Sequence, residues 1–107
     1  MIQKKKENHL YLRLEHNEQE SLVSILRPLS FCSDVILDLL SFENLRESFL
    51  SFLKKINQTI IANGFCLVIV IKESSSISKI ESLNIIPTLT EAEDYIQMEQ
   101  IQRDLGV

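Results

Sequence analysis

Two short segments at the start of the chain have the hydrophobic pattern of strands. Residues 2–6 and 9–15 are predicted to be strands that flank a polar break at residues 7–8, which favours a hairpin. The second segment alternates leucines with polar or amphipathic residues, the period of a half-buried strand. The alternating leucines are Leu10, Leu12 and Leu14.

Two longer apolar runs predict strands that are covered on both faces. They are "DVILDLL" at residues 34–40 and "FCLVIVI" at residues 65–71. The segment between them predicts a long helix, because apolar residues recur on one helical face, and Asn63-Gly64 would end it. That face consists of Leu45, Phe49, Phe52, Leu53, Ile56 and Ile60. Two such strands joined by a helix predict a parallel β-α-β unit with a right-handed crossover.

Three further helices and one edge strand complete the pattern. Residues 17–29 and 73–83 predict shorter helices, and "NII" at residues 84–86 predicts a short edge strand that Pro87 ends. The last helix is predicted over residues 88–105, with either Thr88 or Thr90 as its cap. Its inward residues are predicted to be Ala92, Tyr95 and Ile96, followed by Met98, Ile101 and Leu105.

The predicted order of elements is ββαβαβαβα. It indicates an α/β protein with a small mixed sheet and helices packed against it. The chain of 107 residues is predicted to be a single domain, residues 1–107. Its longest apolar run is too short to cross a bilayer, and no secretory signal follows the basic start. We therefore expect a cytoplasmic protein that does not bind membranes.

The charges are distributed unevenly along the chain. The net charge of −4 argues against nucleic acid as a partner. Lysines 4–6 make the start basic, and we interpret them as charges that keep an edge strand from pairing with other sheets, rather than as a docking patch. The last helix is acidic. Its charged residues are Glu91, Glu93, Asp94, Glu99, Arg103 and Asp104.

The common catalytic and cofactor-binding patterns are not found in the sequence. Only two glycines occur, so glycine-rich phosphate loops are excluded by count. His9 and His16 have no third ligand at metal spacing, and Cys32 and Cys66 match no zinc or redox spacing. We expect no metal, no cofactor and no enzymatic activity, and we expect Cys66 to be a small core residue.

Asp38 is the one carboxylate expected in a buried strand. The carboxyl end of such a strand is where α/β sheets place functional groups. The alternative is a structural role, in which Asp38 accepts hydrogen bonds from nearby backbone N–H groups, and we prefer it.

Several segments together resemble STAS domains of the bacterial anti-sigma-factor antagonist type. The segments are "VILDLLSF", "LRESFLSFL", "FCLVIVI" and "IIPTLTEAEDYI", and the likeness covers nearly the whole chain. It implies a STAS-like fold and a regulatory role through binding a protein, such as an anti-sigma factor or a kinase-like regulator. It also implies that the partner meets the turn after the central strand. The partner-binding candidates are Ser41, Asn44, Arg46, Glu47 and Ser48.

In that family the turn typically contains Asp-Ser-Ser-Gly, and its second serine is phosphorylated by the partner. The corresponding residues here are Arg46, Glu47, Ser48 and Phe49, so only the phosphorylated serine is kept. Ser48 is thus the phosphorylation candidate, and the resemblance implies a lost or altered switch. Two alternatives stay open: a small ligand-binding domain centred on Asp38, and a structural domain that self-associates, with the chain a monomer or weak homodimer.

Overall fold

The computed structural model describes residues 2–6, 8–15, 33–42, 47–72 and 83–106. These segments form a five-stranded mixed sheet and two helices. In chain order the elements are β1 (Ile2–Lys5), β2 (Leu10–Arg13), β3 (Val35–Asp38), α1 (Glu47–Ala62), β4 (Leu67–Val70), β5 (Asn84–Ile86) and α2 (Leu89–Asp104).

The strands lie in the sheet in the order in which they occur in the chain, β1-β2-β3-β4-β5. β1 pairs antiparallel with β2, as the predicted hairpin requires. All later neighbours are parallel. The predictions of an α/β class and a mixed sheet are therefore confirmed. The STAS-like topology stays a prediction, because the helices predicted over residues 17–29 and 73–83 lie almost entirely outside the described residues.

One face of the sheet packs against α1. Leu12 and Leu14 of the β2 segment lie in this core together with Leu37 of β3, and all three are buried. They alternate with residues of the other face, so the predicted strand period is confirmed. The apolar face of α1 that packs here consists of Phe49, Leu53, Ile56 and Ile60. α1 ends before Gly64, whose φ of 88° is the left-handed conformation expected at a helix end.

The opposite face of the sheet packs against α2. Ile36, Cys66 and Val68 meet Ala92 and Ile96 of the helix in a second buried cluster. Cys66 is thus a core residue, as predicted. Burial raises its pKa to about 12, with the Asp34 carboxylate acting in the same direction. Thr88 is the N-cap of α2, because its side chain accepts a hydrogen bond from the Glu91 N–H, which decides between the two candidate caps.

The prediction for the second half of α2 is wrong. Met98, Ile101 and Leu105 are exposed rather than buried. The inward positions of this half are occupied instead by Gln100 and Arg103, whose side chains reach the buried Asp34. A buried carboxylate is costly to leave without hydrogen-bond donors, and this half of α2 turns its donors toward Asp34.

None of the helices in the described segments is long and apolar enough to span a bilayer.

Candidate functional site

The segment that joins β3 to α1 is anchored before it reaches the helix. Leu39 and Phe42 are buried, and the Phe42 N–H donates to the Leu39 carbonyl at 3.0 Å. Between them, the Ser41 hydroxyl donates to the Leu14 carbonyl at 2.8 Å. This bond ties the segment to the end of the neighbouring strand β2. Ser41, proposed from sequence as a binding residue, therefore has a structural hydrogen bond as well.

Two stacked aromatic rings fix the positions on either side of residues 43–46. The rings of Phe42 and Phe49 are nearly parallel, with an interplanar angle of 7° and centroids 6.2 Å apart. Both side chains are buried in the core beneath α1. Because one ring precedes the helix and the other lies in its first turn, the stack holds the start of α1 against the sheet.

Glu47 and Ser48 are exposed at the start of α1, immediately before the buried Phe49. Both lie in the first turn, where the partial positive charge of the helix N-terminus favours anionic groups. Ser41 directly precedes Phe42, and Glu47 and Ser48 directly precede Phe49, so all three residues flank the stacked rings at the start of α1. We call these three residues the α1-start surface. The other two candidates from sequence, Asn44 and Arg46, lie outside the described residues.

Asp38 is buried, and both of its carboxylate oxygens accept hydrogen bonds. Oδ1 accepts from the Leu40 N–H at 3.0 Å, and Oδ2 accepts from the Tyr11 hydroxyl. Burial and the bond to Asp38 raise the pKa of Tyr11 to about 12, so its proton is held in place. The local bond to Leu40 is the structural role preferred from sequence. Each oxygen of Asp38 thus has one donor from the chain itself.

A small cleft lies between β1, β2 and the first turns of α2. It has a volume of about 150 Å³ and is lined by Lys4, Lys6, Tyr11, Leu89 and Glu93. Cofactor and ligand pockets usually measure roughly 300–1,000 Å³. Asp38 is not among the lining residues, whereas Tyr11, whose hydroxyl donates to Asp38, is. Within the described segments no group of three or more metal-ligating side chains comes together.

Sequence reasoning missed Asp34, the most heavily bonded carboxylate among the described residues. It is 3 % exposed and accepts from the Arg103 Nη2 atom at 2.8 and 2.7 Å, from the Gln100 Nε2 atom at 2.7 Å and from the Cys66 N–H at 2.9 Å. Burial alone would raise the pKa of Asp34, but these hydrogen bonds outweigh it and hold the pKa below its usual value. Two features of the sequence could have indicated this ion pair: Asp34 directly precedes a buried strand, and Arg103 is the only basic residue of α2.

The same network continues to the hairpin. Gln100 Nε2 also donates to the Asn8 carbonyl at 2.6 Å, and the Asn8 side-chain oxygen lies 2.6 Å from His9 Nδ1. His9 is buried, which lowers its pKa. These bonds join α2, the hairpin and the start of β3 at the end of the sheet opposite the α1-start surface. We interpret the network as a structural clamp.

Comparison with known proteins adds no family. No protein-family model and no curated protein matches the chain. The resemblance to STAS domains therefore depends on the sequence segments quoted above.

Proposed function

We propose that the protein is a non-enzymatic, cytoplasmic regulatory module that binds another protein through the α1-start surface, in the manner of an anti-sigma-factor antagonist. The observation that supports this most is that exposed polar residues lie next to buried aromatic residues at the start of α1. Glu47 and Ser48 are exposed, whereas Phe42 and Phe49 on either side of them are buried and stacked. A rigid base beneath exposed polar groups reduces the entropy lost on binding.

The same geometry supports an altered phosphoswitch. Where the family has glycine, this chain has Phe49, whose buried ring belongs to the core. The partner therefore cannot approach the backbone there as it would at glycine. Ser48 remains accessible, and a phosphate on it would add about −1.5 to −2 charges beside Glu47. That charge suits the helix N-terminus, so it would act on the partner's binding rather than on the fold.

The alternative of a ligand-binding site or active site at Asp38 has less support. Each of its two oxygens accepts a hydrogen bond from the chain itself, from the Leu40 N–H and the Tyr11 hydroxyl, and the cleft beside Tyr11 is small. Asp38 is better explained by a structural role, in which it accepts hydrogen bonds at the end of β3.

The experiment begins with isolation of the partner from the native cell extract, followed by a binding titration with the purified pair. Ser48→Asp should weaken binding by about tenfold or more, because it places a charge in the centre of the contact. Ser48→Ala should abolish any phosphorylation at this site.

Thr59→Asp is the matched control. Thr59 is also exposed on α1, about three turns beyond Ser48, and the same charge there should change the affinity by less than about twofold. Equal affinities for the Ser48→Asp variant and the parent protein would refute the proposal.

A further inference from the structure

Helix α2 has apolar residues on two opposite sides. Ala92 and Ile96 face the sheet and are fully buried. Three large apolar residues are exposed instead: Met98 (60 % exposed) and Ile101 (52 %) in the second half of α2, and Leu105 (72 %), which is the C-cap of the helix. We call these three residues the outer stripe.

Helix geometry places the outer stripe directly away from the sheet. At about 100° per residue, its members lie about 140–200° around the helix axis from Ile96. Gln100 and Arg103 lie within about 40° of Ile96 by the same count, on the side where their bonds to Asp34 are observed. The second half of α2 therefore turns polar groups inward and apolar groups outward.

Most of the large exposed apolar residues in the described segments are grouped on one helix rather than scattered over the surface. The described residues contain four exposed large apolar side chains, and the outer stripe accounts for three of them, whereas the fourth, Ile61, lies on α1. The stripe residues follow the spacing i, i+3, i+7, by which an apolar face of one helix packs against another helix.

Charge identifies the kind of partner that fits. Glu91 and Asp94 continue the line of the stripe toward the helix N-terminus, since they precede Met98 by seven and four residues. Arg103 is the only basic residue of α2, and its guanidinium is turned inward to Asp34. The outer side of α2 is therefore apolar in one half and acidic in the other.

This pattern argues against a second copy of α2 and against an anionic membrane. A parallel copy would place Glu91 against Glu91 and Asp94 against Asp94, and an antiparallel copy would offer them no outward-facing cation. Anionic lipid would repel the same carboxylates. A helix with apolar residues on one face and lysine or arginine in line with them would place its apolar residues on the outer stripe and its cations beside Glu91 and Asp94.

We propose that the outer side of α2 is a docking surface for a basic amphipathic helix of a partner protein. It is separate from the α1-start surface, because α2 and α1 pack on opposite faces of the sheet.

The test measures binding of a fluorescently labelled synthetic helix that has leucine along one face and lysine beside it, with glutamate in place of lysine in the control peptide. We expect the lysine peptide to bind with a Kd of the order of micromolar and the glutamate peptide to bind much more weakly. The combined substitution Met98→Gln, Ile101→Gln and Leu105→Gln should weaken binding by about tenfold or more.

Ile61→Gln, an exposed apolar position on α1, is the matched control and should bind like the parent protein. Glu91→Gln with Asp94→Asn should weaken binding several-fold and reduce its dependence on salt. Ser48→Asp should leave peptide binding unchanged, so this proposal and the proposed function can fail separately.

Three results would overturn the proposal. The first is equal binding of the lysine peptide by the parent and the triple variant. The second is a dimer of the parent protein, seen by sedimentation, that the triple variant abolishes, because the stripe would then belong to a second copy. The third is a large loss of thermal stability in the triple variant, because the stripe would then be covered by the chain itself.

Discussion

The ion pair between Asp34 and Arg103 should contribute measurably to stability, and Arg103→Met tests it. Methionine keeps an unbranched apolar stem next to the Phe65 ring, which the guanidinium carbon faces at 6.0 Å, but it removes the charge. The variant leaves the buried Asp34 with two neutral donors, the Gln100 amide and the Cys66 N–H.

The expected magnitude follows from burial. Removing one partner of a buried ion pair costs about 3–5 kcal/mol. Here the Asp34 side chain is 3 % exposed but that of Arg103 is 36 % exposed, so water screens part of the attraction. Two donors also remain on Asp34. We therefore expect Arg103→Met to lower the free energy of unfolding by about 2–3 kcal/mol.

Urea denaturation at neutral pH measures this loss, and a double-mutant cycle with Asp34→Asn isolates the pair. The cycle should give a coupling energy of about 1–2 kcal/mol. Arg13→Met is the matched control, because the Arg13–Glu15 pair is 3.6 Å long with side chains 44 % and 48 % exposed. Its loss should cost less than about 1 kcal/mol. A similar small cost for Arg103→Met, or a coupling energy near zero, would refute the clamp.

Four other predictions concern the contacts and the core described above. The pKa of Asp34 in the folded protein lies below 3.8, so the unfolded chain binds this proton first as the pH drops. The free energy of unfolding should therefore fall as the pH drops through 3.8. Acid titrations followed by circular dichroism should show a smaller fall in Asp34→Asn. The lowered pKa of the buried His9 has the same sign, so stability should also fall as the pH drops below 6.5, and His9→Asn should remove that step. Tyr11→Phe leaves Asp38 with one donor fewer and should cost about 1–3 kcal/mol in urea denaturation, and a cost near zero would contradict the observed bond. Leu53→Ala, in the core beneath α1, should cost about 2–5 kcal/mol, whereas Ile61→Ala at the exposed end of that helix should cost less than about 1 kcal/mol.

The sheet was predictable because its strands carry strong local signals. The runs that form β3 and β4 are almost wholly apolar, and the leucines of β2 alternate with polar residues, so both periodicity and composition favour strands. The start of α1 was predictable for a related reason. Phe49 belongs to an apolar face that repeats along the helix, so its neighbour Ser48 had to lie beside that face, where the structure places it exposed.

The orientation of the second half of α2 was not predictable from its own residues. Its apolar residues fit a helical face as well as its polar residues do, and periodicity cannot tell which of two faces meets the sheet. The deciding contact is between Arg103 and Asp34, which are 69 residues apart in the chain. Only the assembled fold brings that carboxylate under the helix.

Site-specific photo-cross-linking in the native cell tests whether a partner docks on the α1-start surface. A photo-reactive residue is introduced at Ser48 and, in a separate variant, at Gln58, which is exposed toward the other end of α1. We expect a covalent adduct with one protein partner from position 48 and none from position 58. No adduct at either position, or the same adduct at both, would contradict a partner that docks on the α1-start surface.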